Sequence, residues 1–256
     1  MAGSRAEPTP GAALPAAAST LVALFGGRDP RAAGRVPLCA RIVSRARVLL
    51  TGFAPFAGEP VNPSWELVRE LAQDADHVPG LRCACERLPV AHAELRPALD
   101  AALARHAPAA VIAVGQASGR PEICLEGVAV NRLAYGDLVD NAGLSGVDQP
   151  LHPGGPERLE ASLPAARLSD VLARSGHPVR LSQDAGTFLC NALLYELLLT
   201  RPELPALFVH VPLLPEQALR RDRGEPCLSH ELSRAALRSL LQMLPDQLRG
   251  PAPGVA

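Results

Sequence analysis

The hydrophobic pattern divides the chain into two unlike parts. Residues 1–45 are rich in Ala, Pro, Gly and Arg and show no sustained periodicity. From Arg47 onward, apolar positions recur with regular spacing. Arg47-Val48-Leu49-Leu50-Thr51-Gly52 reads as a buried strand that stops at glycine. Asn62-Pro63-Ser64 opens a helix to about Leu71, with Trp65, Leu67, Val68 and Leu71 near helical spacing. Cys83 to Leu88 is a second strand. Ala91 to His106 is a helix with Leu95, Leu99 and Leu103 every fourth residue. Ala109 to Val114, closed by Gly115, is another buried strand, and Pro121 to Asn131 is extended.

Residues 133–165 are rich in Gly, Pro and Asp and predict a long surface loop, a kind of segment that often carries function. Pro178 to Leu181 predicts a strand, Thr187 to Leu199 an apolar helix, and Ala206 to Val211 a strand. Pro215 to Arg220 starts a short helix. Ser229 to Leu244 is amphipathic, with Leu232, Leu237, Leu240, Leu241 and Leu244 along one stripe. The alternation of strand and helix predicts an α/β protein. The expected architecture is a single-domain α/β/α sandwich on a mainly parallel, mixed, twisted sheet, spanning residues 46–246. Residues 1–45 are expected to be a disordered or misassigned extension, and residues 247–256 a flexible tail.

Composition narrows the partners. The 256 residues carry 25 basic and 26 acidic side chains, well mixed, with a net charge of −1. That balance gives no support to nucleic acid or an anionic membrane as partner. Every basic residue is arginine, as a GC-rich genome would produce. No apolar run approaches the roughly 18 residues that span a bilayer. The six cysteines are scattered in a chain too long for a small disulfide scaffold. Cys83 and Cys85 form a C-x-C pair on one strand face but lack the second ligand pair of a zinc site. Reduced thiols, a cytoplasmic setting, no metal and no cofactor are the expectations, with structural roles for every cysteine but Cys190.

Cys190 differs because of where it sits. Asp184-Ala185-Gly186-Thr187-Phe188-Leu189-Cys190-Asn191 is a small-residue turn feeding an apolar helix. A helix start offers unpaired N–H groups and the positive end of the macrodipole, which favour a thiolate. His210 follows on the strand Leu207-Phe208-Val209-His210-Val211. A Cys and a His form the minimum set for nucleophilic acyl transfer, and an acid behind the imidazole would fix its tautomer. Glu126 is the best candidate for that acid, in an otherwise apolar extended stretch. Composition alone does not separate it from Glu122 or Asp184.

Several separate motifs, in order, resemble the pyroglutamyl-peptidase I family of cysteine peptidases. Thr51-Gly52-Phe53-Ala54-Pro55-Phe56-Ala57-Gly58 is similar to that family's T-G-F-x-P-F-G-G opening, followed by Asn62-Pro63-Ser64. Leu88-Pro89-Val90, Gly115-Gln116-Ala117-Ser118-Gly119-Arg120 and Leu125 to Asn131 resemble its L-P-V, G-Q-A-G-G-R and E-R-x-A-x-N segments. Asp140-Asn141-Ala142-Gly143 resembles D-N-E-G. Ala185 to Asn191 resembles the nucleophile motif, and Phe208 to Gln217 resembles F-I-H-V-P-x-x-P-E-Q. The resemblance covers about Arg47 to Leu244. It implies hydrolytic removal of N-terminal pyroglutamate from peptides through a thioester. Cys190 would be the nucleophile, His210 the base and then acid, and Glu126 the orienter of His210. Pyroglutamate is a flat, neutral lactam that calls for an apolar slot with a donor and an acceptor. The implied substrate-binding residues are Phe53, Phe56, Asn62, Gln116, Arg120 and Phe188, with Arg120 a weak candidate for oxyanion support. Peptides beginning with pyroglutamate are the implied partners, and a homo-oligomer is an option.

Three positions depart from the family pattern. Gly127 stands where an arginine follows the catalytic glutamate, which predicts the loss of a cation beside the acid and a looser strand. Ala57 replaces the first glycine of the G-G pair. Leu133 to Asp137 does not match the D-A-R-I-P run before D-N. These departures keep two alternatives in view: a lactam-binding protein without turnover, and a cysteine amidase of other N-acyl specificity.

Overall fold

A computed structural model describes residues 45–74, 78–221 and 224–249. The extension expected over residues 1–45 lies outside these apart from Arg45, as do Cys39 and residues 250–256 of the expected tail.

The elements alternate as the apolar spacing predicts. The strands β1 (Ala46–Phe53), β2 (Leu81–Leu88) and β3 (Ala110–Gln116) are separated by helices α1 (Pro63–Asp74) and α2 (His92–His106). Next come β4 (Ile123–Glu126) and β5 (Val128–Val130), then the short β6 (Leu133–Ala134), β7 (Asp148–Gln149) and β8 (Arg158–Glu160). Helix α3 (Ala165–Arg174), β9 (Val179–Ser182), α4 (Leu189–Thr200) and β10 (Ala206–Val211) complete the centre. Helices α5 (Pro215–Leu219) and α6 (His230–Leu248) end the chain.

Six strands form one sheet in the order β2-β1-β3-β10-β4-β9. All neighbours pair in parallel except β4 against β10. Central strands are buried on both faces, which is why β3 and β10 read as continuous apolar runs. One core layer packs Val48, Leu50, Ile112, Val209 and Val211 against Leu67 and Val68 of α1, Leu168 of α3 and Leu240 of α6. The opposite layer packs Leu49, Val111 and Phe208 against Leu99 of α2 and Leu193, Leu194 and Leu197 of α4. The fold is therefore the expected α/β/α sandwich.

Four local expectations change. Pro121 to Asn131 is not one strand. It breaks at Gly127 into β4 in the main sheet and β5, which pairs antiparallel with β8. Gly127 spans the break, donating to the Ser182 carbonyl at 2.7 Å and accepting from Ala161 at 2.9 Å. Residues 133–165 are not wholly loop, because β6, β7 and β8 pin them. Helix α3 has no counterpart in the sequence reading, although Leu168 and Leu172 make a buried stripe. Helix α6 runs on to Leu248, into the expected tail.

Candidate active site

Strand alternation decides which carboxylate meets His210. On β4, Ile123 and Leu125 face the layer of α1, α3 and α6, so Cys124 and Glu126 face α4. On β10, Leu207, Val209 and Val211 face that same first layer, so Phe208 and His210 face α4. Glu126 and His210 thus meet on one side of the sheet. His210 Nδ1 lies 2.8 Å from Glu126 Oε1, both side chains being buried. A carboxylate in that place accepts, so Nδ1 carries the proton and Nε2 keeps its lone pair. Glu122 instead lies on the surface near Arg180, and the Asp184 carboxylate accepts from the Gly186 N–H at 2.9 Å.

Helix α4 brings the thiol. Gly186 adopts φ +76 and turns the chain into Phe188, the extended residue before the helix. The first intrahelical bond of this end is from the Ala192 N–H to the Phe188 carbonyl, so the Leu189, Cys190 and Asn191 N–H groups lack intrahelical acceptors. Asn191 is buried and clamps the helix: its Oδ1 accepts from Val130, and its Nδ2 donates to the Val130 and Arg132 carbonyls.

Cys190 and His210 line one cavity of about 480 Å³ with Phe56, Gln116, Tyr135 and Phe188. Gly115 makes their meeting possible. It pairs with His210 in register, and a Cβ on it would stand 2.9 Å from Cys190 Sγ and 2.8 Å from the Phe208 ring. Among the described residues Cys190 makes no hydrogen bond to His210.

The helix start does not produce a resting thiolate. Burial, reinforced by the Glu126 charge, pushes the Cys190 thiol up to about 12, against a smaller opposing pull from Arg120. Burial also holds His210 below its ordinary 6.5, outweighing the upward pull of Glu126. The resting pair is thus a thiol and a neutral imidazole, the form in which histidine is a base.

Residues 46–244 match the family model described as pyroglutamyl peptidase. This chain belongs to the pyroglutamyl peptidase family. It is 44% identical over 177 residues to the pyrrolidone-carboxylate peptidase of Gloeobacter violaceus, covering 68% of this chain and 85% of that protein. It is 41% identical over 199 residues to the Klebsiella pneumoniae enzyme of the same name, covering 77% and 91%. The crystal structure of Bacillus amyloliquefaciens pyroglutamyl peptidase I superposes with a TM-score of 0.72 at 35% identity, covering 79% of this chain and 98% of that one.

Within this pyroglutamyl peptidase fold, Phe56 stacks on Phe188 with centroids 6.4 Å apart. Tyr135 meets Phe188 edge-on at 4.6 Å. Tyr135 comes from the divergent 133–137 run, and the sequence reading does not single it out. Its hydroxyl donates to Asp140, which also accepts from the backbone of His92, Ala142 and Leu144. Phe53 is nearly fully buried and packs on Phe208 at 6.5 Å, so it forms the floor of the slot and merges with the core.

Two residues expected to bind substrate make hydrogen bonds within the protein, and of these Asn62 also lines the cavity. Asn62 bonds the Ala54 carbonyl through Nδ2 and the Ser64 N–H and hydroxyl through Oδ1. It caps α1 and holds the Phe53 loop. Arg120 does not reach the cavity. It donates to Glu126 Oε1 at 2.8 Å, to Ser182 at 3.2 Å and to the Asp184 carbonyl at 2.6 Å. This corrects the expectation drawn from Gly127. The acid keeps a cation, supplied by Arg120. A side chain at Gly127 would point away from Glu126, towards Gln183 and Leu181.

Among the described residues there is no cluster of three or more His, Cys, Asp or Glu able to hold a metal. No helix among them is long and apolar enough to cross a membrane.

Proposed function

We propose that this chain releases N-terminal pyroglutamate from peptides with Cys190 as nucleophile, His210 as proton carrier and Glu126 as the group that orients and stabilises the imidazole. The lactam ring enters the slot of Phe56, Phe188 and Tyr135 above Phe53. Its flat faces bury against aromatic carbon, and the absence of a free amine suits a cavity with no carboxylate to pair one. Cys190 Sγ attacks the carbonyl that joins the ring to the next residue, and its proton passes to His210 Nε2. The charge that develops on the carbonyl oxygen meets the free N–H groups at the start of α4. The imidazolium, held by Glu126, then protonates the leaving amine. Water deprotonated by His210 hydrolyses the thioester and frees pyroglutamate. Arg120 holds Glu126 in place. Every proton and bond is handled by side chains, backbone and water.

The observation that carries this reading is the 2.8 Å bond between His210 Nδ1 and Glu126 at the edge of the cavity that Cys190 lines. Turnover without a preformed thiolate requires such an oriented neutral base. The test is release of fluorophore from a pyroglutamyl amide. Wild type should turn over and Cys190→Ser should lose roughly 10³-fold or more. A pure, folded wild-type chain inert on every pyroglutamyl amide would sink the proposal. Location in the cytoplasm is part of the same proposal, resting on free thiols at Cys83, Cys85, Cys124, Cys190 and Cys227.

A further inference from the structure

Gln217 is completely buried, near the N-terminal end of α5, and no step above uses it. Its hydrogen bonds have a fixed polarity. The Leu214 backbone N–H can only donate, and it lies 3.0 Å from one end of the Gln217 amide, which must be Oε1. The other end is therefore the NH₂ group. It lies 3.1 Å from Gln116 and 3.5 Å from the Val61 carbonyl, and it also hydrogen-bonds the Glu59 carboxylate, which Arg220 and Arg221 pair. A carbonyl and a carboxylate can only accept. The Gln116 atom facing Gln217 must then be its oxygen. Turning either amide over would set oxygen against oxygen or N–H against N–H. Gln116 lines the cavity, and among the described residues its Nε2 makes no hydrogen bond. A backbone donor in another loop thus dictates, through two amides, which end of Gln116 is offered to the pocket.

We propose that Gln217 is a positioning residue that locks the Gln116 amide with its NH₂ group towards the cavity, so that the pocket selects rings carrying a carbonyl acceptor. This rests on the reading of the cavity as a pyroglutamyl site. A lactam carbonyl satisfies the donor. A saturated ring without one leaves a desolvated N–H unpaired, and the ring is discriminated against for that reason.

The test is Gln217→Glu. Burial and the neighbouring Glu59 charge raise the pKa of the introduced carboxyl, so the assay runs from about pH 6 to about pH 9. Once ionised, the carboxylate still accepts from Leu214 but has no proton for Gln116. Gln116 then turns its NH₂ to the carboxylate and its oxygen to the cavity. The inhibition constant of 2-pyrrolidone and the KM of a pyroglutamyl amide should both rise roughly tenfold, with kcat changed far less. As pH falls, protonation of the introduced carboxylate restores a donor, so the ratio of variant to wild-type KM should shrink. A folded variant with an unchanged inhibition constant, or with kcat and KM disturbed alike at all pH values, overturns the proposal. Should the variant not fold, the wild-type chain still decides. The side-chain NH₂ resonances of Gln116 must shift on titration with 2-pyrrolidone, and unmoved resonances in the presence of binding overturn it. Failure of wild type to cleave any pyroglutamyl amide would remove the proposed function instead, and is read separately.

Discussion

His210 separates two regions that differ in kind. The Nδ1 side is polar and closed: Glu126 Oε1 accepts from His210 and Arg120, and Arg120 also donates to Ser182 and the Asp184 carbonyl. The buried Glu126 Oε2 has no partner among the described residues. On the Nε2 side lies an aromatic cavity with a thiol that makes no hydrogen bond to the ring. One region is built before substrate arrives, and the other is completed by it. On the proposed reading, the difference is how a thiol pushed up to about 12 serves as a nucleophile. The cost of making charge is met by a preorganised acid side, and the charge appears only when a carbonyl is present to take it up.

The largest break comes on the open side. Gly115→Ala places a methyl 2.9 Å from Cys190 Sγ, displacing the thiol from His210. Activity on a pyroglutamyl amide should fall roughly 100-fold, because small misplacements at a reacting centre are that costly. Overpacking against Phe208 should add about 1–3 kcal/mol of destabilisation in urea titrations. Wild-type activity in a folded Gly115→Ala protein would mean that the two regions are not separated by this glycine.

The next break is on the closed side. Arg120→Met removes the cation from Glu126 and leaves a buried carboxylate short of a partner. A loss of about 3 kcal/mol in stability is expected, with kcat/KM down roughly tenfold. Arg120 also lowers the pKa of His210, so its removal must move the acid limb of the pH–kcat/KM profile upward. An unmoved limb would separate Arg120 from the acid side. Wild type sharpens the same point. The His210 pKa is depressed, so the unfolded chain takes up the proton more readily. Stability should therefore be constant above about pH 6.5 and decline as pH falls below it, as read by urea midpoints at about pH 7.5, 6.5 and 5.5. His210→Gln should flatten part of that decline.

The smallest effect lies on the rim. Ala57 and Gly58 both have positive φ, 52 and 75, at the centre of a turn closed by the Glu59 N–H to the Phe56 carbonyl. Alanine is strained there and glycine is not. Ala57→Gly should gain about 0.5–1 kcal/mol in thermal or urea unfolding while leaving kcat/KM within about twofold. A net destabilisation would show that the turn is held by contacts and not limited by conformation.

Local pattern is enough for the strands of the main sheet other than the extent of β4, and for every helix but α3, since each rests on a few adjacent residues. Glu126 is ambiguous only until its strand face is known. The departures mislead for a physical reason. Gly127 reads as a missing cation because its neighbour in sequence is Glu126, whereas a side chain at this break between β4 and β5 would point towards Gln183 and Leu181. The cation comes from upstream, at Arg120, folded back onto the acid. Gly115, Tyr135, Asp140 and Gln217 act across long sequence separations, and no period in the chain announces such partners. The helix start predicts an acidified Cys190, but burial and the Glu126 charge push its thiol up. Helix α3 follows directly on the Gly/Pro-rich segment, whose composition obscures its start.

Helix α4 has no exposed residue along its whole length. The helix is therefore an inner beam of the molecule. Few amides of this helix can exchange with solvent unless the sheet beside them opens, so their exchange should approach the limit set by global unfolding. Loss of activity on heating and loss of structure should then follow a single curve. The enzyme's own turnover would serve as a gauge of whether its core is intact.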